Sequence, residues 1–312
     1  MSSPESVQNW PRIAVVGAGA VGGYFGGMLA RAGAPVLFIG RPAFVDAVNQ
    51  NGLFLDTVQF QERVKVKAAT DLTAARGAEI ALFCVKTTDT AETARALAKL
   101  LAKDSIIVSM QNGVDNAEQI AAASGLKALP AAVYVAASVP AAGSVKHVGR
   151  GDLVLGPQNE ITARVANTFT RAKVPCRISE NLIGELWTKL VWNCALNALS
   201  ALGKVTYGEI LASADAKQLL EATVYEVLAV AKASGVQPAG LEDPKAALAG
   251  AYKVAESMAA TRSSTAQDMM RNKKTEIDSL NGFIVRRGRE LQIPVPVNHA
   301  LFTLVKLTEN SF

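Results

Sequence analysis

Lys189, Asn193 and Asn197 recur at every fourth position of an otherwise apolar segment, Glu185–Leu202 (ELWTKLVWNCALNALSAL). On an α-helix this spacing stacks the three polar side chains on one face. Leu186, Trp187, Leu190, Val191, Cys194 and Leu196 are placed to bury the flanking surfaces. Two readings fit the pattern. One is an amphipathic helix whose polar stripe faces water, although such a stripe usually carries several charges and this one offers a single lysine with two amides. The other is a ligand-cleft wall, where fixed amides bind a polar ligand and a desolvated lysine donates a proton near neutral pH.

A second group of residues suits phosphate chemistry. Gly17-Ala18-Gly19-Ala20-Val21-Gly22 reads G-x-G-x-x-G, directly after the apolar run Arg12–Gly17 and at the start of a small-residue helix. In that context Gly17 permits a tight turn, Gly19 admits a pyrophosphate close to the backbone, and Gly22 lets helix and strand pack closely. The free N–H groups of the helix start, which includes Ala20 and Val21, and its dipole favour an anion. The alternative is a glycine-rich turn without a ligand. NAD-binding folds usually carry an acid at the end of the second strand to hold the ribose 2′-hydroxyl. Here that strand ends Phe38-Ile39-Gly40-Arg41. An arginine can grip a 2′-phosphate with two charge-assisted bonds, so Arg41 points to NADP(H), the alternative being a solvated surface arginine.

These residues need elements to hold them. Arg12–Gly17, Pro35–Gly40, Glu79–Lys86 and Ser105–Met110 are short apolar runs bounded by turn signals, as expected of strands buried on both faces of a parallel sheet. Helix-like segments, Gly19–Ala32 and Thr88–Ala102, alternate with them. After about residue 128, Ala131–Val139, Gly143–Val148, Asp152–Gly156 and Val174–Ser179 are predicted as further strands, some antiparallel, that extend the sheet. From about Asn181 the chain reads as entirely helical, in Leu182–Leu202, Ala214–Ala233, Pro244–Met270 and Thr275–Glu290. The expected fold is α/β. An N-terminal doubly wound, Rossmann-type, mostly parallel sheet with added antiparallel strands spans 10–180, and an all-α domain spans 181–312.

Composition narrows the function classes. Half of the 312 residues are hydrophobic and 19% are charged, which supports a sizeable core rather than disorder. The net charge of +5 is spread along the chain, and without a Lys/Arg run it argues for small anions rather than nucleic acid. Cys84, Cys176 and Cys194 fit neither a disulfide framework nor a zinc knuckle and are read as reduced core thiols. His147 and His299 lie far apart in sequence, so neither a metal site nor a histidine triad is expected. Residues 1–9 are polar and lack the apolar stretch of a signal peptide, and no apolar run reaches the roughly 20 residues of a membrane span. A cytoplasmic protein without membrane contact is expected. The long apolar helices could pair two copies as a homodimer or pack internally.

The glycine loop, Val85-Lys86, Gln111-Asn112-Gly113, Glu185–Leu190 with Asn193 and Asn197, Arg262-Ser263-Ser264…Gln267-Asp268, and Thr275–Asp278 with Asn281-Gly282 occur in an order that resembles the ketopantoate reductase (2-dehydropantoate 2-reductase) family. The resemblance runs from about Arg12 to about Lys306. It implies an NADPH-dependent oxidoreductase that reduces a 2-oxo acid to its alcohol in pantothenate biosynthesis. It implies that Lys189 is the general acid and that Glu276 helps place substrate and lysine. Asn193 and Asn197 would line the substrate cleft, Ser264 would bind the substrate carboxylate, and Asn112 and Lys86 would stand at the cofactor-facing edge. Arg41 would bind the 2′-phosphate. Read alone, Glu276 is a charged-helix glutamate, Ser264 a helical surface serine, Asn112 an Asn-Gly turn residue and Lys86 a solvated strand end. The chain departs from the family at Thr261, where members often have Asn, and at Thr265-Ala266, where they often have Met-Leu. Those changes leave open a related reductase of another bulky 2-oxo acid. A regulator that binds NADP without turnover is the reading from another class, and the presence of the lysine and its acidic partner argues against it.

Overall fold

A computed structural model describes residues 9–311, so the polar lead at residues 1–8 lies outside the described residues. The chain forms two compact units. One comprises the residues up to Gln111 together with Asn116–Leu182; the other comprises Asn112–Asp115 and Ile183 onward. Asn112–Asp115 thus group with the second unit, although they fall inside the 10–180 span read from the sequence.

The first unit begins β1 (Ile13–Val16), α1 (Ala20–Arg31), β2 (Val36–Ile39), α2 (Pro42–Asn51), β3 (Leu53–Asp56), β4 (Gln61–Val64), β5 (Lys67–Ala69), β6 (Ile80–Phe83) and α3 (Thr90–Leu97). It continues β7 (Ile106–Ser109), α4 (Asn116–Ser124), β8 (Ala128–Pro130), β9 (Ala132–Ser138), β10 (Ser144–Leu155), α5 (Glu160–Arg171) and β11 (Cys176–Ile178). Six strands form a parallel sheet in the order β5-β2-β1-β6-β7-β8. The order reverses between β1 and β6, the switch point beside which ligands bind in open α/β sheets.

The remaining strands build a second, mixed sheet instead of widening the first. Its order is β11-β10-β3-β4, with β9 antiparallel along β10. The reason lies in α1, which carries glycines on two faces. A Cβ at Gly26 would stand 2.6 Å from Val15 Cγ2 and 2.8 Å from the Phe38 ring, on the parallel sheet. A Cβ at Gly23 would stand 2.6 Å from Val145 Cγ2, and one at Gly27 2.8 Å from Leu55 Cδ2, on the mixed sheet. Both sheets therefore approach the helix backbone closely, and one helix joins them in a single hydrophobic core. The two strands expected at 143–148 and 152–156 are one strand, β10, which continues through bulges around Arg150-Gly151. Strands β3, β4, β5 and β8 were not anticipated; Gln61–Val64 and Lys67–Ala69 are largely exposed and carry little apolar signal.

The second unit is helical: α6 (Leu182–Gly203), α7 (Tyr207–Ala212), α8 (Ala214–Ala233), α9 (Pro244–Ser257), α10 (Ser264–Met270), α11 (Asn281–Leu291) and α12 (Pro296–Glu309). Trp187, Leu190, Val191 and Cys194 of α6 pack with Leu220, Val224 and Val227 of α8, the small face Ala247, Ala251 and Ala255 of α9, and Ile284 of α11. The single helix expected at 244–270 is two. Ser263 caps α10 by accepting from Ala266 N at 3.0 Å, and Tyr207 N and Gly208 N take the carbonyls of Thr261 and Ala259. The segment expected at 275–290 likewise begins with a 3-10 turn, Ile277–Ser279, before α11. Among the described residues no helix is long and apolar enough to cross a membrane.

Candidate active site

In the first unit, β1 ends in the glycine loop. Gly17 has φ +103°, and a Cβ there would lie 2.6 Å from the Cys84 carbonyl carbon, so β6 presses against the loop from the other side of the switch point. A Cβ at Gly22 would lie 2.3 Å from Gly17 O, which requires glycine for the helix to start where it does. Gly19 differs, since a Cβ there would meet nothing within 4 Å. The first turn of α1, with Ala20 and Val21, has no acidic residue and no side-chain cap. Open space above uncapped helix N–H groups fits the pyrophosphate of a dinucleotide. Gly40 brings the end of β2 to the same loop, with a built Cβ 2.9 Å from Ala18 Cβ. Arg41 follows, exposed, and its guanidinium forms no ion pair with a described residue. Lys86, half-buried, follows the end of β6 by three residues, just before a 3-10 turn.

Gln111 anchors the segment that follows β7. Its Nε2 donates to Val85 O at 3.1 Å and Thr90 Oγ1 at 2.7 Å, and its Oε1 accepts from Ser109 Oγ at 3.2 Å. A buried amide with all these partners fixes the chain up to Asn112.

In the second unit, α6 places Lys189, Asn193 and Asn197 one turn apart. Lys189 Nζ donates to Asn112 Oδ1 at 2.8 Å, and Asn112 Nδ2 donates to Glu276 Oε2 at 3.1 Å. One amide thus joins the ammonium and the carboxylate. Residues beside Glu276 are tied to the end of α12: Thr275 N donates to Glu309 Oε1 at 2.7 Å, and Lys306 Nζ pairs with Asp278 at 2.9 Å and Glu309 at 3.1 Å. Burial alone would lower the Lys306 pKa, but its bonds to the two carboxylates outweigh burial and raise it. Asn281 is fully buried and pins the start of α11, donating to Cys194 O of α6 at 3.2 Å and Asn298 Oδ1 at 3.0 Å.

Asn193 is half-buried, and its side chain makes no hydrogen bond to a described residue. Asn197 is buried; Tyr207 Oη donates to its Oδ1, and Ser263 Oγ donates to its backbone carbonyl at 3.0 Å. Ser264 is exposed at the first position of α10. Of the positions where the chain departs from the family resemblance, Thr261 is half-buried, whereas Thr265 and Ala266 are buried, and Ala266 packs with Met269, Ile277, Leu301 and Val305. The sealed side chains of Thr265 and Ala266 bear on pocket shape through core packing. Sequence reading passed over Tyr207 and the Ser263 cap. The Ser-Ser pair before an apolar stretch was the available signal for the cap. Among the described residues no cluster of His, Cys, Asp or Glu could hold a metal ion.

Comparison with known proteins covers nearly the whole chain. Residues 13–160 match the family described as ketopantoate reductase PanE/ApbA, and residues 181–309 match its C-terminal domain. The chain is 32% identical to a 2-dehydropantoate 2-reductase of Pyrococcus abyssi, across 95% of this chain and 97% of that protein. A crystal structure of a PanE/ApbA family ketopantoate reductase from Ralstonia eutropha JMP134 is 46% identical, with a TM-score of 0.90 over 96% of this chain and 99% of that one. A D-mandelate dehydrogenase solved with NADH and anilino(oxo)acetate shares the fold, with 23% identity and a TM-score of 0.88 over 96% of this chain and 99% of its own. The chain belongs to the ketopantoate reductase family.

Proposed function

We propose that this protein reduces 2-dehydropantoate to pantoate with NADPH, and that Lys189 supplies the proton. The observation that carries the reading is the Lys189–Asn112–Glu276 chain of hydrogen bonds. Family membership makes the protein a nicotinamide-dependent oxidoreductase acting on a small molecule; the finer assignments are ours. Residues 10–180 form the NADP-binding domain and 181–312 the substrate domain, with Asn112 completing the latter. Gly17, Gly19, Ala20, Val21 and Gly22 hold the pyrophosphate, Arg41 the 2′-phosphate, and Lys86 and Asn112 the cofactor-facing edge.

When bound, the reduced nicotinamide supplies a hydride to C2 of the oxo acid. As the new C–H bond forms, the carbonyl π pair moves to oxygen, and an N–H bond of Lys189 breaks to give the alcohol O–H. Asn112 Oδ1 accepts one hydrogen bond from the ammonium and so fixes the position of Nζ. The Glu276 carboxylate holds the other end of that amide and so prevents its rotation. Asn193, Asn197 and Ser264 bind the carboxylate and hydroxyl oxygens of the substrate. The protein's part is to orient the acid and to stabilise developing negative charge.

The test is NADPH oxidation with 2-dehydropantoate, run beside NADH and other 2-oxo acids. Selective turnover of 2-dehydropantoate with NADPH is expected. Faster turnover of another 2-oxo acid would move the substrate, and NADPH binding without any turnover would leave a regulator.

A further inference from the structure

The polar stripe of α6 ends at Asn197, and a side chain from the next helix sets which end of its amide faces outward. Tyr207, the first residue of α7, is 7% exposed, and its hydroxyl donates to Asn197 Oδ1 at 3.2 Å. Asn197 is itself only 4% exposed. Its Nδ2 meets no acceptor among the described residues, yet it is not one of the sealed polar atoms without partners, so it reaches the accessible surface. A primary amide has an accepting end and a donating end. With Oδ1 held by Tyr207, the end that faces outward is the NH2. The flipped amide would leave the buried phenol proton without an acceptor, which is costly. Burial also raises the Tyr207 pKa, so the phenol remains a donor.

The same residue holds the approach to Ser264. Tyr207 N donates to Thr261 O at 3.0 Å, while Ser263 Oγ donates to Asn197 O at 3.0 Å. The hydroxyl of Tyr207 therefore holds Asn197, while its backbone holds Thr261, three residues before Ser264.

We infer that Tyr207 is a positioning residue that determines specificity, presenting Asn197 as an N–H donor to an oxygen acceptor on the 2-oxo acid. This inference rests on the reading of the α6 stripe as the substrate-binding wall.

The test is Tyr207→Phe, which deletes one oxygen and keeps the ring. KM for 2-dehydropantoate should rise about threefold to tenfold, the scale of one neutral hydrogen bond. The kcat, KM for NADPH and melting temperature should stay near wild type. In an Asn197→Ala background the same substitution should change KM by less than about twofold, because coupled residues are not additive. An unchanged KM, or an equal rise in the Asn197→Ala background, overturns the inference. Asn197→Asp is the second variant: Tyr207 would hold one carboxylate oxygen and the other would face an anionic substrate. KM should then rise about a hundredfold, a charge-repulsion effect of a few kcal/mol, with NADPH binding intact, and a wild-type KM overturns the inference. A wild-type protein that binds NADPH but turns over no 2-oxo acid defeats the underlying reading and this inference with it. Normal wild-type turnover with silent Tyr207 and Asn197 variants defeats the inference alone.

Discussion

Lys189 Nζ lies 2.8 Å from Asn112 Oδ1, although 77 residues separate the two in sequence. Asn112 in turn reaches Glu276 across 164 residues. The amide thus bridges the two with a fixed sense, its oxygen toward the ammonium and its nitrogen toward the carboxylate. If Lys189 is the proton donor, Lys189→Ala should lower kcat by at least about a hundredfold, the usual scale of general acid catalysis. Steady-state kinetics with saturating NADPH and 2-oxo acid would show it, and near-normal turnover would remove Lys189 from the mechanism.

Asn112→Ala should be milder. It removes one bond to an ammonium and one to a carboxylate, so kcat should fall by about tenfold to a hundredfold, as expected for hydrogen bonds to charged groups. Lys189 would still be present, and residual turnover distinguishes the bridging amide from the acid. A loss as large as that of Lys189→Ala would mean that Asn112 itself touches the reacting atoms.

The glycine loop separates folding from binding at two positions three residues apart. A Cβ at Gly22 would clash with Gly17 O at 2.3 Å and Val15 Cγ1 at 2.9 Å. Gly22→Ala should therefore destabilise the protein by about 1–3 kcal/mol, the usual cost of overpacking. A Cβ at Gly19 meets no protein atom, and its φ of −86° is open to any residue. Gly19→Ala should melt like wild type but bind NADPH more weakly, because the methyl group occupies the space left for the pyrophosphate. Thermal melts and cofactor titrations on both variants would decide it. Unchanged NADPH affinity in Gly19→Ala would exclude the cradle.

What could be read from sequence follows the range of the interactions that decide each element. The glycine loop and α6 are local patterns, and α6 runs from Leu182 to Gly203 against an expected Leu182–Leu202. The second sheet was not legible, because it depends on contacts of Gly23 and Gly27 with Val145, Leu53 and Leu55, far along the chain. The glycine at 151 reads as a turn, yet β9 pairs across it and keeps β10 whole. The break between α9 and α10 is likewise tertiary, since helical periodicity runs through 258–263 while Tyr207 and Ser200 hold that segment open. For the site, residue types and the i, i+4, i+8 spacing were visible. The meeting of Lys189, Asn112 and Glu276 was reachable only through the family resemblance.

Arg41 offers a test of cofactor choice. It is exposed beside the glycine loop and forms no ion pair with a described residue, so its removal should cost little stability. Arg41→Ala should raise KM for NADPH by about tenfold or more, as loss of a charge-assisted pair to phosphate implies, and leave KM for NADH nearly unchanged. Parallel titrations with the two cofactors separate a 2′-phosphate ligand from a structural arginine, since equal losses with both would assign it to structure.

The start of α7 carries a pH dependence whose direction is fixed by its cap. Glu209 Oε2 accepts from Thr206 N at 2.8 Å and Thr206 Oγ1 at 2.9 Å, closing a capping box around the turn that bears Tyr207. The backbone bond from Thr206, then its hydroxyl, holds the Glu209 pKa below its ordinary 4.5, with burial opposing and the Arg262 charge assisting. Because the native value lies below the unfolded one, this stabilisation is fully present above the ordinary carboxylate pKa. It is lost as pH falls through the native value. Glu209→Gln should therefore melt below wild type at pH 7, and the two melting curves should converge at pH values below the native Glu209 pKa. Melting temperatures of both proteins from pH 7 down to pH 3 would show the convergence, whereas a gap that stays constant across that range would mean that the carboxylate's charge contributes nothing to the cap.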